Sequence, residues 1–472
     1  MVSPNKVGVS VTPTQIERLL AAVADDVARL PPSAVVTNAA EIPMGYNNTV
    51  YRVEFTGFTG FTGFTGFTVY RVECTWPDDD GDACPPLQRT IAVRVAKRSV
   101  FPMAKLEAEV AVMRYLRHHA ALQGPDSPLH KVPTVFFVTD AVPGVTDGLA
   151  AIGMAWVDGA VIGVDPHHGV RIDTLPVAVR DRFVAEAVDF LAALQRVPVP
   201  QGVGRVVPHP SGRVDQIALG EHLDFDGSRE WTTRGPFASH PDAVLELVRM
   251  RRHQLRTLLA AMVATGEFSG EAVVELDNAF AAQQELLEEI EAVVRANAPA
   301  MERSLRLCFA HDDLCARNML VDVSTGRING VVDWEWCAVG PATQDWFGGF
   351  DDIGDEWRAA LRARAASLGV LPGGGVFWAA SVEAEGGRVV DRRLAVDETT
   401  NFGTVDDATR AAVVTFGVRR ALVKAVPGPI ASRLANPNTW PVGHEQVLTL
   451  LATARLNARR AIDAIPEPLR KL

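Results

Sequence analysis

The segment from Phe309 to Glu335 restricts the fold of this 472-residue chain more than any other. It reads FAHDDLCARNMLVDVSTGRINGVVDWE, in which short apolar runs alternate with single polar residues. One strand is predicted at 319–323 and another at 328–332, with Gly326 in the turn between them. In a hairpin of two antiparallel strands, the residues just before the first strand and just after the second lie close together at its open end. The segment therefore predicts a hairpin with polar residues gathered at its edge.

Three of the flanking residues have side chains suited to phosphoryl transfer from a nucleotide. The reaction needs a carboxylate that orients the attacking hydroxyl and accepts its proton, and it needs oxygen ligands for Mg²⁺ on the phosphates. Asp313 fits the first role, and Asn318 and Asp333 fit the second. Because a magnesium site relies on oxygen ligands, His311 is expected to hold the loop by hydrogen bonds rather than to act as the base.

The pattern H-x-D-x-x-x-x-N, followed by an apolar strand and V-V-D-W-E, resembles that of the aminoglycoside phosphotransferase and choline kinase group. Within that group the chain is identified as a member of the fungal-type phosphotransferase branch, whose fold is similar to that of protein kinases. The resemblance covers about 41–160 as a small lobe and 176–365 as the core of a larger lobe. It implies an enzyme that uses ATP and Mg²⁺ to phosphorylate a hydroxyl group of a small molecule.

The resemblance also assigns roles within this motif. It implies that Asp313 is the catalytic aspartate, with His311 in the same catalytic loop, and that Asn318 and Asp333 bind magnesium. The residue before the catalytic aspartate is commonly Gly in such enzymes, whereas this chain has Asp312. That departure removes none of the required ligands.

The nucleotide is expected to contact two further segments of the small lobe. The resemblance implies that a turn with Gly45, Asn47 and Asn48 covers the phosphates. This turn has only one glycine, unlike the G-x-G-x-x-G loop of protein kinases, so fewer backbone amides can approach the phosphates freely. The hinge between the lobes, which includes Met154 and Trp156, is implied to receive the nucleotide base through its backbone groups.

A strand predicted at 90–96 carries the cation that is expected to hold the phosphates. Arg94 lies inside this strand and Lys97 lies at its end, and both fit the role. Arg94 is favoured, because a charge inside a strand needs a partner. On the following helix Glu109 would be that partner, with Glu107 as the alternative.

The order of the predicted elements indicates the fold class. Strands and one long helix fill the chain up to about residue 160, and helical periodicity dominates from Pro176 onward. Together with the resemblance, this order predicts an α+β, bilobal, protein-kinase-like fold, with a small N-terminal lobe built on an antiparallel sheet and a larger, mainly helical C-terminal lobe. The expected divisions are a leading helical segment at 1–40, a nucleotide-binding lobe at 41–160 and a catalytic and substrate-binding lobe at 161–472.

A repeat interrupts the small lobe. The sequence VYRVE at 50–54 recurs at 69–73, with four Phe-Thr-Gly triplets between the two copies. A three-residue period fits neither a strand nor a helix, so the Phe side chains cannot all face one core. The pattern favours an insertion at 55–88, with an aromatic binding ribbon as the alternative.

Acidic and aromatic residues follow the motif. Glu335 and Asp345 are close enough in sequence to the catalytic edge to contact a substrate. With Trp334, Trp336 and Trp346 they would attract an amine or quaternary ammonium group by charge and by cation–π contact. The alternative is a solvated loop whose Trp side chains anchor it in the core. A cationic acceptor is therefore one of two interpretations of this segment.

Composition excludes several other classes of protein. Lys and Arg number 46 against 57 for Asp and Glu, a formal charge of −11, which disfavours nucleic acid as a partner. The five cysteines are odd in number and form no C-x-x-C pair, which argues against a disulfide framework and a structural zinc site. The sequence has no run of eighteen apolar residues, and residues 1–29 do not read as a leader, so a cytoplasmic protein without a membrane partner is expected. Its oligomeric state stays open.

A catalytically inactive pseudokinase, or a nucleotide-binding regulatory protein, is the alternative function. Such proteins have usually lost at least one of the residues that bind magnesium or the acceptor hydroxyl. Asp313, Asn318 and Asp333 are all present here, so the sequence favours turnover.

Overall fold

The structure is a computed structural model that describes residues 15, 18–19, 35–36, 67–76, 87–96, 103–139, 150–163, 170–221, 235–264, 270–348, 355–368, 377–383, 389–396, 406–425 and 444–470. The predicted turn over the phosphates, with Gly45, Asn47 and Asn48, lies outside these residues. Lys97 and the Phe-Thr-Gly repeat at 55–66 lie outside them as well. The roles assigned to these segments therefore stay predictions.

The N-terminal part of the described chain is an antiparallel sheet with one long helix. Its five strands have the spatial order β1-β2-β3-β5-β4. They are β1 (Val35–Val36), β2 (Phe67–Trp76), β3 (Leu87–Ala96), β4 (Val135–Thr139) and β5 (Ala151–Ala155). Helix α1 (Met103–Gln123) connects β3 to β4 and buries the apolar stripe that the sequence predicts, Leu106, Val110, Met113 and Leu116. The predicted strand at 90–96 and the predicted helix at 103–118 are both confirmed, each with a longer extent.

Helices dominate the rest of the described chain. They are α2 (Val177–Leu194), α3 (His240–Ala264), α4 (Glu271–Ser304), α5 (Thr343–Gly348), α6 (Asp355–Ser367), α7 (Asp407–Ala425), α8 (His444–Asp463) and α9 (Glu467–Arg470). Helix α4 packs against α3, α7 and α8. Its buried face includes Leu276, Phe280, Leu287 and Ile290, whose spacing of three, four and seven residues places them on one side of a helix.

Short strands in this helical part were not predicted. Strands β6 (Ile162–Gly163) and β7 (Val170–Arg171) form a small parallel pair, and β8 (Gly204–Pro208) and β9 (Ile217–Gly220) lie between α2 and α3. Only β8 and β9 lie in the part of the chain from Pro176 onward where helical periodicity was expected to dominate, and runs of four or five residues are too short to show a periodicity of their own.

Strands β8 and β9 join a sheet that leads into the catalytic loop. Its order is β10-β13-β8-β9, with β10 (Leu307–Ala310) antiparallel to a later strand. The hairpin predicted from the sequence follows as β11 (Met319–Asp322) and β12 (Arg327–Val331), and then comes β13 (Ala338–Pro341). A second hairpin, β14 (Phe377–Glu383) with β15 (Val389–Val396), lies farther along the chain.

The β11–β12 hairpin is confirmed, and its turn is fixed by a glycine. Gly326 has φ +76°, and a Cβ at this position would lie 2.0 Å from the backbone oxygen of Val179. The turn is therefore held against the start of α2, and the open ends of the hairpin face the catalytic loop. The described residues form the bilobal α+β architecture that the sequence predicts, while the exact division near residue 160 stays a prediction.

Candidate active site

The catalytic loop runs from the end of β10 to the start of β11. Asp313 leaves about a third of its side chain exposed (31%). Its carboxylate accepts a hydrogen bond from Arg317 Nη2 at 2.7 Å and another from Asn318 Nδ2 at 3.1 Å. The backbone carbonyl oxygen of Asn318 accepts a hydrogen bond from the backbone N–H of Val332 at 2.9 Å. The loop therefore lies beside the end of β12, directly before Asp333. The structure therefore brings Asp313, Asn318 and Asp333 together.

His311 is buried beneath this loop. Its Nε2 lies 3.0 Å from the carbonyl oxygen of Val332, and its ring packs on Trp334 with centroids 4.5 Å apart. Burial lowers the pKa of His311 to about 4, so the imidazole is neutral near pH 7 and donates through Nε2 to that carbonyl. This geometry favours the expected role, which is to hold the loop against β12 rather than to act as the base.

Asp345 fixes the same loop from α5. Its two carboxylate oxygens accept the backbone N–H groups of His311 and Asp312 at 2.8 and 2.9 Å. The side chain is buried, and burial raises the pKa of Asp345 to about 7. The sequence suggested Asp345 as a substrate contact, but the structure corrects this: both oxygens already bind the loop, so Asp345 positions it instead.

Asp333 occupies a left-handed backbone conformation at the end of β12, with φ +69°. This conformation is uncommon for residues other than glycine and is found most often at functional sites. The carboxylate is buried, and its Oδ1 has no hydrogen-bond partner among the described residues, with Arg94 Nη2 at 3.8 Å. Burial, and next the charge of Glu335, raise the pKa of Asp333 well above its usual range. A cation bound beside it would stabilise its ionised form.

Asn318 and Asp333 carry side-chain oxygens of the kind that magnesium bound to a nucleotide requires. Asn318 uses its Nδ2 for both of its side-chain hydrogen bonds to Asp313, and neither bond uses Oδ1, the atom that a hard cation needs. The described residues contain no group of three His, Cys, Asp or Glu side chains arranged to hold a metal. Nucleotide-bound magnesium takes only one or two protein carboxylates together with phosphate oxygens and water, so Asp333 with Asn318 meets its requirements.

Arg94 on β3 joins the two parts of the site. Its Nη1 forms an ion pair with Glu109 Oε1 at 2.7 Å, and its Nη2 lies 3.5 Å from Glu335 Oε2. Burial lowers the pKa of Arg94, but the nearby carboxylates, first that of Glu109, outweigh this effect and the net pKa is raised. Glu107 is exposed, so the structure selects Glu109 as the partner of Arg94.

Glu335 departs from its expected role. The sequence suggested a substrate contact, but the side chain is buried and its carboxylate lies against Arg94. Glu335 thus belongs to the protein's own charge cluster, and the geometry gives it a positioning role. Trp334 is buried against Phe190 with ring centroids 6.1 Å apart, which favours the alternative in which a Trp of this segment anchors it in the core.

Two variants on α1 test how much the ion pair between Arg94 and Glu109 contributes to the free energy of unfolding. We expect Glu109→Ala to lower the free energy of unfolding by about 2–3 kcal/mol, because it leaves a buried guanidinium with one carboxylate fewer. Glu107→Ala on the exposed face of the same helix is the matched control and should change it by less than about 0.5 kcal/mol. Chemical denaturation at constant m-value measures both. Equal losses in the two variants would contradict the ion pair.

Sequence reasoning missed two arginines of the site. Arg205 on β8 is buried and donates through Nη2 to the carbonyl oxygen of Glu335 at 3.4 Å, and burial lowers the pKa of Arg205 to about 10. A charge inside a strand was the signal that identified Arg94, and the same signal is present in GRVVP, but β8 itself was not predicted. Arg317 lies inside the motif, yet only the structure shows its contact with Asp313.

The predicted hinge leads from β5 onto the catalytic hairpin. Met154 is buried near the end of β5, and Trp156 donates through Nε1 to Asp158 Oδ1 at 2.8 Å. Two residues later, Ala160 exchanges backbone hydrogen bonds with Val321 of β11 at 2.8 and 2.9 Å. Backbone contact therefore links the hinge to the strand that follows Asn318.

None of the described helices is long and apolar enough to cross a lipid bilayer.

Comparison with known proteins assigns the chain to a family. No curated protein sequence matches it. Solved structures that match the chain include an aminoglycoside 2'-phosphotransferase in complex with GDP, at 11% identity and a TM-score of 0.42, covering 94% of this chain and 99% of that one. A spectinomycin phosphotransferase with ADP and spectinomycin has 11% identity and a TM-score of 0.42, covering 96% of this chain and 98% of that one. Ethanolamine kinase from Plasmodium vivax has 10% identity and a TM-score of 0.36, covering 80% of this chain and 81% of that one.

Likenesses this low do not decide the family, but a match to a family model does. The model of the phosphotransferase enzyme family matches residues 85–373, which is more than half of the chain. The matched residues include β3 with Arg94, the catalytic loop and Asp333. The chain therefore belongs to the phosphotransferase enzyme family, whose members are small-molecule kinases that act on hydroxyl groups.

Proposed function

We propose that the protein transfers the γ-phosphate of Mg²⁺-bound ATP to a hydroxyl group of a small molecule. The observation that carries this proposal is the juxtaposition of a partly exposed carboxylate, Asp313, with the oxygen-bearing side chains of Asn318 and Asp333. Phosphoryl transfer depends mainly on positioning and on the neutralisation of charge, and these three groups provide both.

Asp313 is proposed to act on the acceptor. Its exposed carboxylate accepts a hydrogen bond from the acceptor hydroxyl, orients the oxygen toward the γ-phosphate and takes up the proton as the new P–O bond forms. Arg317 binds Oδ1 and Asn318 binds Oδ2, and each carboxylate oxygen keeps a further lone pair that can accept the acceptor hydroxyl. The proton leaves Asp313 for solvent when the phosphorylated product departs.

The opposite side of the site is proposed to hold the nucleotide. Asn318 and Asp333 would bind magnesium, which would neutralise the negative charge that builds up on the phosphates. Arg94 presents a fixed positive charge to the same phosphates, since Glu109 and Glu335 prevent its side chain from changing conformation. Met154 and Trp156 lie at the predicted contact of the base, and the turn at Gly45 is proposed to cover the phosphates.

A binding protein without turnover is the alternative. The partial exposure of the Asp313 carboxylate supports turnover over this alternative, because part of the group stays open to an acceptor. The free, buried thiols of Cys308 and Cys337 agree with the expectation of a cytoplasmic protein, which stays a proposal, as does the absence of nucleic acid and membrane partners.

Transfer of labelled phosphate tests the proposal directly. The protein is incubated with γ-labelled ATP, and in parallel GTP, with magnesium and a panel of small alcohols with and without amine groups. We expect label to appear on at least one alcohol and not on its O-methyl ether, which lacks the attacking hydroxyl. No transfer, together with no thermal stabilisation by either nucleotide, would favour the binding or inactive alternative.

A further inference from the structure

The residue before Asp313 has an unfavourable backbone conformation. Asp312 has φ +68°, which lies in the left-handed region. A residue with a Cβ is disfavoured there relative to glycine, and Asp is among the residues that adopt this region more often than most, so contacts with its side chain can stabilise it there. The resemblance described above places glycine at this position, and this chain has a charged side chain instead. The question is therefore what the carboxylate of Asp312 contributes.

Two helices contact Asp312, one through its backbone and one through its side chain. Asp345 on α5 accepts the backbone N–H of Asp312 at 2.9 Å. Arg419 on α7 forms an ion pair with the Asp312 side chain through Nη2. Both side chains of the pair are largely buried, with exposed fractions of 31% for Arg419 and 15% for Asp312, so water screens the pair only in part.

The surroundings of Arg419 favour this pairing. Its second terminal nitrogen, Nη1, is buried without a hydrogen-bond partner among the described residues, so the contact with Asp312 anchors the guanidinium. His240 lies nearby at the start of α3, and burial together with the charge of Arg419 lowers the pKa of His240 to about 3. A neutral His240 does not compete with Arg419 for the carboxylate of Asp312.

Arg419 also lies outside the part of the chain that the family model matches, which ends at residue 373. Helix α7 packs against α4, α8 and α5, the helix that carries Asp345. The pair therefore connects the catalytic loop to a helix beyond the matched segment. Because Asp312 directly precedes Asp313, a rotation about its backbone bonds would swing the catalytic carboxylate away from the acceptor.

We propose that Arg419 is a positioning residue for phosphoryl transfer: it holds Asp312 in the left-handed conformation and thereby fixes the direction of the Asp313 carboxylate. The kinetic part of this proposal rests on the proposed function, whereas its structural part does not. Arg419 acts through Asp312 and does not itself contact the reacting atoms.

A double-mutant cycle on the full-length chain, without nucleotide or acceptor, tests the structural part. Hydrogen exchange is measured by mass spectrometry on the peptide that contains the amides of His311 and Asp312, both of which bind Asp345. We expect R419M to speed this exchange roughly fivefold, as for a partly screened ion pair. In the D312G background, where glycine adopts the left-handed conformation without help, R419M should change exchange by less than about twofold.

Two further variants keep the test decisive if R419M does not fold. R419K retains a charge and should recover part of the wild-type protection. D312A lacks the carboxylate and, unlike glycine, has a Cβ that disfavours the left-handed conformation, so it should speed exchange as R419M does. Equal effects of R419M in the wild-type and D312G backgrounds would overturn the proposal, and so would wild-type protection in D312A.

The kinetic part uses an acceptor identified by the labelled-phosphate screen. R419M is expected to lower kcat by roughly tenfold to a hundredfold, because misplacement of a catalytic group by about 1 Å has effects of this size, and to leave the KM for ATP unchanged. A rise in the KM of the acceptor with kcat unchanged would show a direct acceptor contact and overturn the positioning role. Since the exchange experiment needs neither ATP nor acceptor, failure of the proposed function alone would leave its result intact.

Discussion

Asp313→Ala is expected to lower the rate of phosphoryl transfer by roughly a thousandfold while magnesium–nucleotide binding persists. The variant removes the group that orients the acceptor hydroxyl and takes its proton, and it leaves Asn318 and Asp333 in place. In kinetic terms kcat should fall and the KM for ATP should change little. The loss of a partly exposed side chain with two hydrogen-bond partners should have only a small effect on folding.

Two controls separate the chemistry of Asp313 from its structural contacts. Asp313→Asn keeps the hydrogen bond from Arg317 but cannot accept the proton, so it should be nearly as inactive as the alanine variant. Asp322→Ala removes a different carboxylate from the same hairpin, one that binds Ser324 and Thr325 in the turn, and should keep turnover within about twofold. Wild-type turnover in Asp313→Ala would refute its assignment as the base.

Asp333→Asn is expected to remove nucleotide binding rather than chemistry. For the wild type, Mg²⁺-ATP at about 100 times its dissociation constant should add about 2.7 kcal/mol to the free energy of unfolding, which is a visible rise in Tm. In the variant this rise should disappear, because an amide neutralises less of the magnesium charge than a carboxylate does. Turnover should fall by more than about a thousandfold as a consequence.

Asp333→Asn is also expected to affect the stability of the protein without ligand, and there it should not destabilise the fold. In the folded protein, burial and the charge of Glu335 raise the pKa of Asp333, so its ionisation destabilises the fold at every pH above the range where an unfolded aspartate titrates. Without ligand, Asp333→Asn should therefore be at least as stable as the wild type at pH 7, and any advantage of the variant should shrink toward zero as the pH falls through that range. Thermal unfolding of both proteins, with and without Mg²⁺-ATP, measures the two effects together. A variant that loses stability without ligand would show that Asp333 supports the fold rather than the nucleotide.

The sequence predicted those parts of the site that depend on residues close together in the chain. The alternation in TIAVRVA predicts β3 with a charge inside it, and helical spacing predicts the apolar stripe of α1. Glu109 was the expected partner of Arg94, with Glu107 as the alternative, and only the contact in the structure decides between them. The spacing of Asp313, Asn318 and Asp333 around two short strands predicts their convergence. These inferences concern residues within one strand, one helix or one hairpin, where the repeat of the backbone fixes the side on which each side chain lies.

Other parts depend on partners far apart in sequence, which such patterns do not reveal. Asp345 and Glu335 were expected to face a substrate because they are acidic and near the motif, but burial and their partners decide their role. Arg205 was overlooked because its strand is too short to show a period. The contact between Asp312 and Arg419 spans 107 residues, and no local pattern points to it.

The two backbone hydrogen bonds between Ala160 and Val321 tie the chain that leaves β5 to the strand that follows Asn318. They are made by main-chain atoms, so no exchange of side chains at these two positions removes them, except for proline, which lacks the N–H. A displacement of the segment after β5 is therefore transmitted to the hairpin that carries Asn318 and Asp333 through the backbone itself.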